Sequence, residues 1–284
     1  MALVDCTAGG SRWTFEVERD GSGPAVLLLH GLLTDSRVWR PLREALADRY
    51  TLVCVDAPGH GGSPARDADF RLEEEVDALV ALLDTLGVPG PVAWVGHSMG
   101  GMKAMRAALR HPDRVAALGL ISTQPYLEPD RTAAPYLAMV EAAQTWGVDI
   151  DLAEVIGKLN FGKAYLASDA GQEWVRHFTR VTGDALAPTA HSVFRREDIS
   201  ERMGELTAPT LIVHGTEDIP IRIKVARSYA ELVPAARMVE LDGCGHTPPC
   251  ERPDAVAALL GEFLDGSLRA PDTARAEPVP VPDS

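Results

Sequence analysis

Gly96-His97-Ser98-Met99-Gly100 is the segment best suited to chemistry, because an apolar run over 91–95 leads into it and a helical pattern over 102–111 leaves it. A serine hydroxyl is a weak nucleophile that needs a base, an anion site and an exposed seat. A tight turn between strand and helix supplies the seat, with glycines two residues to either side where a side chain would not fit. The helix that starts there aims free N–H groups and the positive end of its dipole at an oxygen that becomes charged. The base must come from eight histidines. His30 and His97 are held by the backbone of their own motifs, and His60 lies in a glycine-rich loop. His111 stands at a helix end, where capping is the simpler role. His177 and His191 fall in a helical interval, and His214 closes a strand. His246 lies in Gly243-Cys244-Gly245-His246-Thr247-Pro248, between the last strand and the last helix. Loops at strand C-terminal ends carry the catalytic groups of α/β folds, so His246 is the candidate base.

An imidazole used this way needs an acid to hold its tautomer. Asp218, in His214-Gly215-Thr216-Glu217-Asp218 after an apolar strand, is the candidate. Glu217 is the rival, with a longer side chain expected to face the opposite way. The anion site needs two backbone donors. These are expected from Met99, which follows the nucleophile, and from Leu32, after Leu29-His30-Gly31.

Positioning these groups requires a sheet. Residues 25–29, 51–55, 92–95, 115–121, 210–213 and 238–241 form short apolar runs, as strands buried on both faces do. Residues 13–18 alternate apolar and polar, as in a half-buried antiparallel strand. Helical patterns over 38–47, 72–86, 102–111, 223–232 and 253–264 intervene, so the expected class is α/β with a mostly parallel sheet flanked by helices. The interval from Ser122 to Leu206 has no clear buried strand and reads as a helical lid. The expected layout is a core of 1–122 and 206–266, a lid of 123–205, and a disordered tail of 267–284, Pro-rich from 270.

The lid carries Trp146, Phe161, Tyr165, Trp174, Phe178 and Phe194, which together with Leu33 are pocket candidates; packing between lid helices is the competing use of these aromatics. Arg195 and Arg196 could hold a substrate carboxylate, although solvated surface arginines are the simpler expectation.

The chain has 284 residues, 46% hydrophobic and 24% charged, with a net charge of −14. That acidity argues against nucleic-acid and anionic-membrane partners and leaves a small-molecule substrate. Cys6, Cys54, Cys244 and Cys250 show no paired spacing and read as free thiols. No signal peptide and no membrane span is visible, so a cytoplasmic location is expected. No ligand spacing suggests a metal, Gly59-His60-Gly61-Gly62 is not a phosphate loop, and no cofactor is expected. Composition is silent on oligomeric state.

His30-Gly31, Asp56-x-Pro58-Gly59-His60-Gly61-x-Ser63, Gly96 to Gly101, Gly215-x-x-Asp218 and Gly245-His246 occur in this order. With them the chain resembles an α/β-hydrolase-fold serine hydrolase over 13–264, and the order Ser98, Asp218, His246 is that of the family's triad. Within the superfamily it is most similar to small cofactor-free esterases and lactonases, including 3-oxoadipate enol-lactonase-like proteins. The resemblance implies cleavage of an ester or lactone through an acyl-enzyme. Haloalkane dehalogenases and epoxide hydrolases attack through an aspartate, where this chain has Ser98. Perhydrolase relatives often carry an aromatic after the His-Gly pair, where this chain has Leu32. Thioesterases, acyltransferases and C–C bond hydrolases would use the same residues. A ligand receptor on this fold needs no working base, so an intact set argues against one.

Overall fold

The computed structural model describes residues 1–88, 90–234 and 236–268. Its framework is an eight-stranded sheet in the order β1-β2-β4-β3-β5-β6-β7-β8, formed by β1 (Ala2–Ala8), β2 (Ser11–Asp20), β3 (Ala25–Leu29), β4 (Thr51–Val55), β5 (Val92–His97), β6 (Val115–Ile121), β7 (Thr210–Gly215) and β8 (Arg237–Leu241). The β1–β2 and β2–β4 pairs are antiparallel and the rest are parallel. Alternate residues of each inner strand face opposite sides. Thus Leu27, Leu29, Val53, Val55 and Trp94 enter one core, and Val26, Leu28, Leu52, Cys54 and Val95 the other.

Helices α2 (Leu72–Thr85), α3 (Met99–Arg110) and α9 (Ile223–Ala230) cover the first core, through Leu79, Met105 and Tyr229 among others. Helices α1 (Arg40–Leu46) and α11 (Pro253–Leu268) cover the second through Leu42, Leu46, Val256 and Leu260. Beneath α3, a wholly buried ion pair joins Lys103 to Glu75 of α2 at 2.6 Å.

Between β6 and β7 the chain is helical: α4 (Asp130–Trp146), α5 (Ile150–Asn160), α6 (Lys163–Leu166), α7 (Asp169–Phe178), α8 (Gly183–Phe194) and a 3₁₀ turn at Ser200–Glu205. These helices build their own apolar centres, one around Ile156, Phe161, Val175 and Phe178, another around Val140, Leu186 and Ala190. A short helix, α10 (Pro248–Glu251), follows the last loop.

Some expectations shift. β1 was not read from the sequence, because this edge strand buries only Cys6 and carries no core pattern. The helix expected over 38–47 begins as a 3₁₀ turn at Ser36–Trp39. Helix α11 runs on to Leu268, so the first two residues of the expected tail are helical, and the remainder of that tail, 269–284, lies outside the described residues. Among the described residues no helix is long and apolar enough to cross a membrane.

Candidate active site

Ser98 sits where β5 gives way to α3, with φ 50° and ψ −113°, a backbone state that costs a non-glycine residue about 1–3 kcal/mol. The surroundings hold it there. Its N–H donates to Ile121 O at 2.9 Å, and its carbonyl accepts from Thr123 Oγ1 at 2.7 Å and Met102 N at 3.1 Å. The flanking glycines are sterically required. A Cβ on Gly96 would lie 2.2 Å from the Gly100 carbonyl carbon, and one on Gly100 would lie 2.0 Å from Leu29 O.

His246 arrives from the loop after β8, placing Nε2 3.0 Å from Ser98 Oγ. Its Nδ1 lies 2.8 Å from Asp218 Oδ2, so the proton sits on Nδ1 and Nε2 is left to accept from the serine. Asp218, rather than its exposed neighbour Glu217, meets the imidazole. Burial pushes the Asp218 carboxyl up, but His246 and the hydrogen bond from His214 outweigh it and hold it well below the usual range. Asp218 Oδ1 also accepts from Ile221 N at 2.8 Å. His214 is a contributor that sequence reasoning missed. Its Nε2 reaches Asp218 Oδ2 at 3.2 Å and Ile221 O at 2.6 Å, fixing the turn that presents Asp218. His97 donates from Nε2 to the carbonyl of His246 at 2.7 Å, so the residue before Ser98 anchors the loop that carries His246.

The loop after β3 carries the N–H of Leu32, and α3 opens with the N–H of Met99. Neither finds an acceptor among the described residues. Two neutral histidines shape that loop. His30 Nε2 accepts from Ala57 N at 2.9 Å while its Nδ1–H donates to Gly31 O at 2.7 Å. His60 Nε2 accepts from Leu33 N at 3.2 Å while its Nδ1–H donates to Pro58 O at 3.0 Å. Burial lowers them to about 4 and about 3, so both stay uncharged acceptors. Leu33 is thereby held at φ 70°. The Asp56–Ser63 motif serves the same end. Asp56 Oδ1 accepts from Ser36 N at 2.7 Å, and a Cβ on Gly61 would strike its Oδ2 at 1.8 Å.

Over Ser98 lies a cavity of about 90 Å³, whose walls include Leu32, Leu33, Tyr136, Met139, Asn160 and Phe194. Tyr136 and Phe194 stack at 5.3 Å and 12°. Of the pocket candidates, Leu33 and Phe194 line this space. Trp146 does not, being 82% exposed at the end of α4. Phe161 and Phe178 are buried in the inserted helices' own centre, with Tyr165 and Trp174 packed against it. These aromatics join helix to helix. Tyr136, Met139 and Asn160 were missed, because their residue types are as common in helix packing as in pockets.

Arg196 departs from the expected surface arginine. It is buried, 2.7 Å from Glu128, and donates to Val193 O at 2.7 Å. Arg195 is exposed and pairs with Asp69 at 2.9 Å. Neither lines the cavity, whereas Glu128 does. A more polar cleft of about 280 Å³, bordered by Asp69, Arg71, His191 and Arg195, shares no residue with it. Among the described residues, no group of three or more His, Cys, Asp or Glu side chains is disposed to hold a metal ion.

Residues 24–253 match the model of the alpha/beta hydrolase fold family. The chain is similar to 2-(acetamidomethylene)succinate hydrolase of Mesorhizobium japonicum, 27% identical over 260 residues that span 89% of this chain and 92% of the relative. It is also similar to the pimeloyl-(acyl-carrier protein) methyl ester esterase of Xanthomonas campestris pv. campestris, 30% identical over 86% of this chain and 96% of that one. Among solved structures, the enol-lactonase of Burkholderia xenovorans superposes with a TM-score of 0.84 at 25% identity, covering 92% of this chain and 100% of that one.

Proposed function

The chain belongs to the alpha/beta hydrolase fold family, and from that premise we propose that it cleaves a carboxylic ester or lactone of a small organic molecule through an acyl-enzyme on Ser98. The observation that carries the reading is the 3.0 Å approach of His246 Nε2 to Ser98 Oγ with Asp218 behind the imidazole at 2.8 Å. Ser98 Oγ attacks the carbonyl carbon as His246 Nε2 takes its proton, and Asp218 stabilises the imidazolium. The N–H groups of Leu32 and Met99 receive the oxyanion, each donor contributing about 3 kcal/mol at the transition state. His246 then protonates the leaving alkoxide. It next takes a proton from water, whose oxygen attacks the acyl carbon, and returns that proton to Ser98 Oγ as the bond to the acyl carbon breaks and the acid leaves.

Helices α4 to α8, within 123–205, are read as a lid over the core of 1–122 and 206–266. The cavity wall it supplies favours a short, uncharged acyl group, since 90 Å³ is small and no lysine or arginine among the described residues borders the space. Glu128, the acidic wall residue, is already paired with Arg196. A doubly charged substrate of the kind named for the Mesorhizobium relative would meet no lysine or arginine counter-charge among the described residues here. Free thiols at Cys6, Cys54, Cys244 and Cys250 support a reducing, cytoplasmic setting.

The test is a panel of short p-nitrophenyl esters, lactones and thioesters with wild type and Ser98→Ala, read beside fluorophosphonate labelling. Wild type should turn over neutral short-chain esters or lactones fastest and label at Ser98. Ser98→Ala should lose at least about 10⁴-fold in turnover. Full activity in Ser98→Ala would sink the reading.

A further inference from the structure

Three backbone N–H groups converge on one buried carboxylate beside the catalytic loop, and none of the catalytic steps uses it. Glu251, at the end of α10, accepts from Gly245 N at 2.9 Å, Thr247 N at 3.1 Å and Gly162 N at 2.9 Å. Gly245 and Thr247 are the residues on either side of His246. Gly162 belongs to the inserted helices, where α5 hands over to α6. Two further ties cross the same seam. Thr247 Oγ1 donates to Asn160 O at 2.8 Å, and a Cβ on Gly245 would lie 2.2 Å from Gly162 N. The segment held this way supplies Leu159 and Asn160 to the cavity wall.

We propose that Glu251 is a positioning residue, which holds both peptide units around His246 and locks the 160–162 edge of the lid to them, so that the base and one wall of the acyl cavity move as a single body. The proposal rests on His246 being the general base. A carboxylate suits the task because it only accepts. It offers about four lone-pair sites to three converging donors, whereas an amide of the same shape presents an NH₂ to at least one of them. Charge-assisted bonds of this kind are roughly twice as strong as neutral ones. A misplacement of about 1 Å at a reacting group costs on the order of 10²-fold in rate, so slackening this clamp should appear in turnover.

The experiment compares wild type, Glu251→Gln and Gly162→Ala for kcat, KM, fluorophosphonate labelling rate and Tm, with Ser98→Ala alongside. Gly162→Ala perturbs the clamp from the lid side, because its Cβ would meet Glu251 Oε2 at 2.6 Å. Both variants should lose about 10- to 100-fold in kcat. The labelling rate should fall in step, with KM changed no more than about threefold and the folded fraction intact at the assay temperature. A folded Glu251→Gln with wild-type kcat would overturn the proposal, as would a loss of kcat that merely follows the unfolded fraction. If Glu251→Gln does not fold, Gly162→Ala decides by the same two outcomes. Should Ser98→Ala retain turnover, the triad reading fails instead, whatever the clamp variants do.

Discussion

The two sides of the cavity are built by different forces. On the sheet side, residues 30–33, 97–99, 218–221 and 245–247 are fixed by short buried hydrogen bonds. Histidines sit at the joints, with His97 on the His246 carbonyl, His60 on Leu33 N and His214 on Asp218. On the side of the inserted helices, Phe194 stacks on Tyr136 and packs against one apolar cluster with Val193 and another with Leu186 and Ala190. Hydrogen bonds are directional and punish a misplacement of tenths of an ångström, while apolar contacts tolerate exchange of similar volumes. In the proposed function, chemistry falls on the wall that cannot drift and selectivity on the wall that can vary. Glu251 lies at the seam, where the directional network reaches the inserted helices through Gly162.

That contrast is tested most severely on the directional side. Asp218→Asn should lower kcat by about 10⁴-fold without unfolding the chain, while Glu217→Gln should stay within about twofold. A large loss in Glu217→Gln would break the assignment of the acid.

The buried neutral histidines carry a second, thermodynamic cost. Burial depresses His30 to about 4 and both His60 and His97 to about 3, whereas a histidine in the unfolded chain titrates near 6.5. Below pH 6.5 the unfolded state therefore binds more protons than the native one. Stability is full above that pH and falls as pH drops toward 4, by up to about 4 kcal/mol per pH unit if all three sites contribute. His60→Gln should lessen the slope by about 1.4 kcal/mol per pH unit, measured by urea unfolding between pH 4 and 6.5. An unchanged slope would remove His60 from this account.

Smaller effects are expected on the inserted helices. Tyr136→Ala and Phe194→Ala should shift preference toward longer acyl chains by about tenfold in kcat/KM. The rate on the shortest ester should change least. An equal loss across all chain lengths would show that these residues serve the chemistry as well. At the exposed end of α4, Trp146→Ala should leave turnover unchanged and stability within about 0.5 kcal/mol, read by kinetics and thermal melting.

Legibility follows the same division. The strands at 25–29, 51–55 and 115–121 were readable to the residue, because burial on both faces demands unbroken apolar runs. The edge strand β1 was not, since one strand neighbour and little burial impose almost no pattern. Glu251 left no trace in the sequence either. A carboxylate that accepts from backbone N–H groups constrains where it sits and not which residue types face it.

By itself the sequence determined the seat of Ser98 and the loops from which an acid and a base could come. There the backbone state is local, and glycine at 96 and 100 is what close approach requires. Only the tertiary structure decided that Asp218 rather than Glu217 meets the imidazole, that Arg196 is interred against Glu128, and that Trp146 faces solvent while Tyr136 faces the serine's cavity. Those outcomes depend on side chains converging from segments far apart in the chain. Chain distance carries no record of which face of a helix will be turned inward.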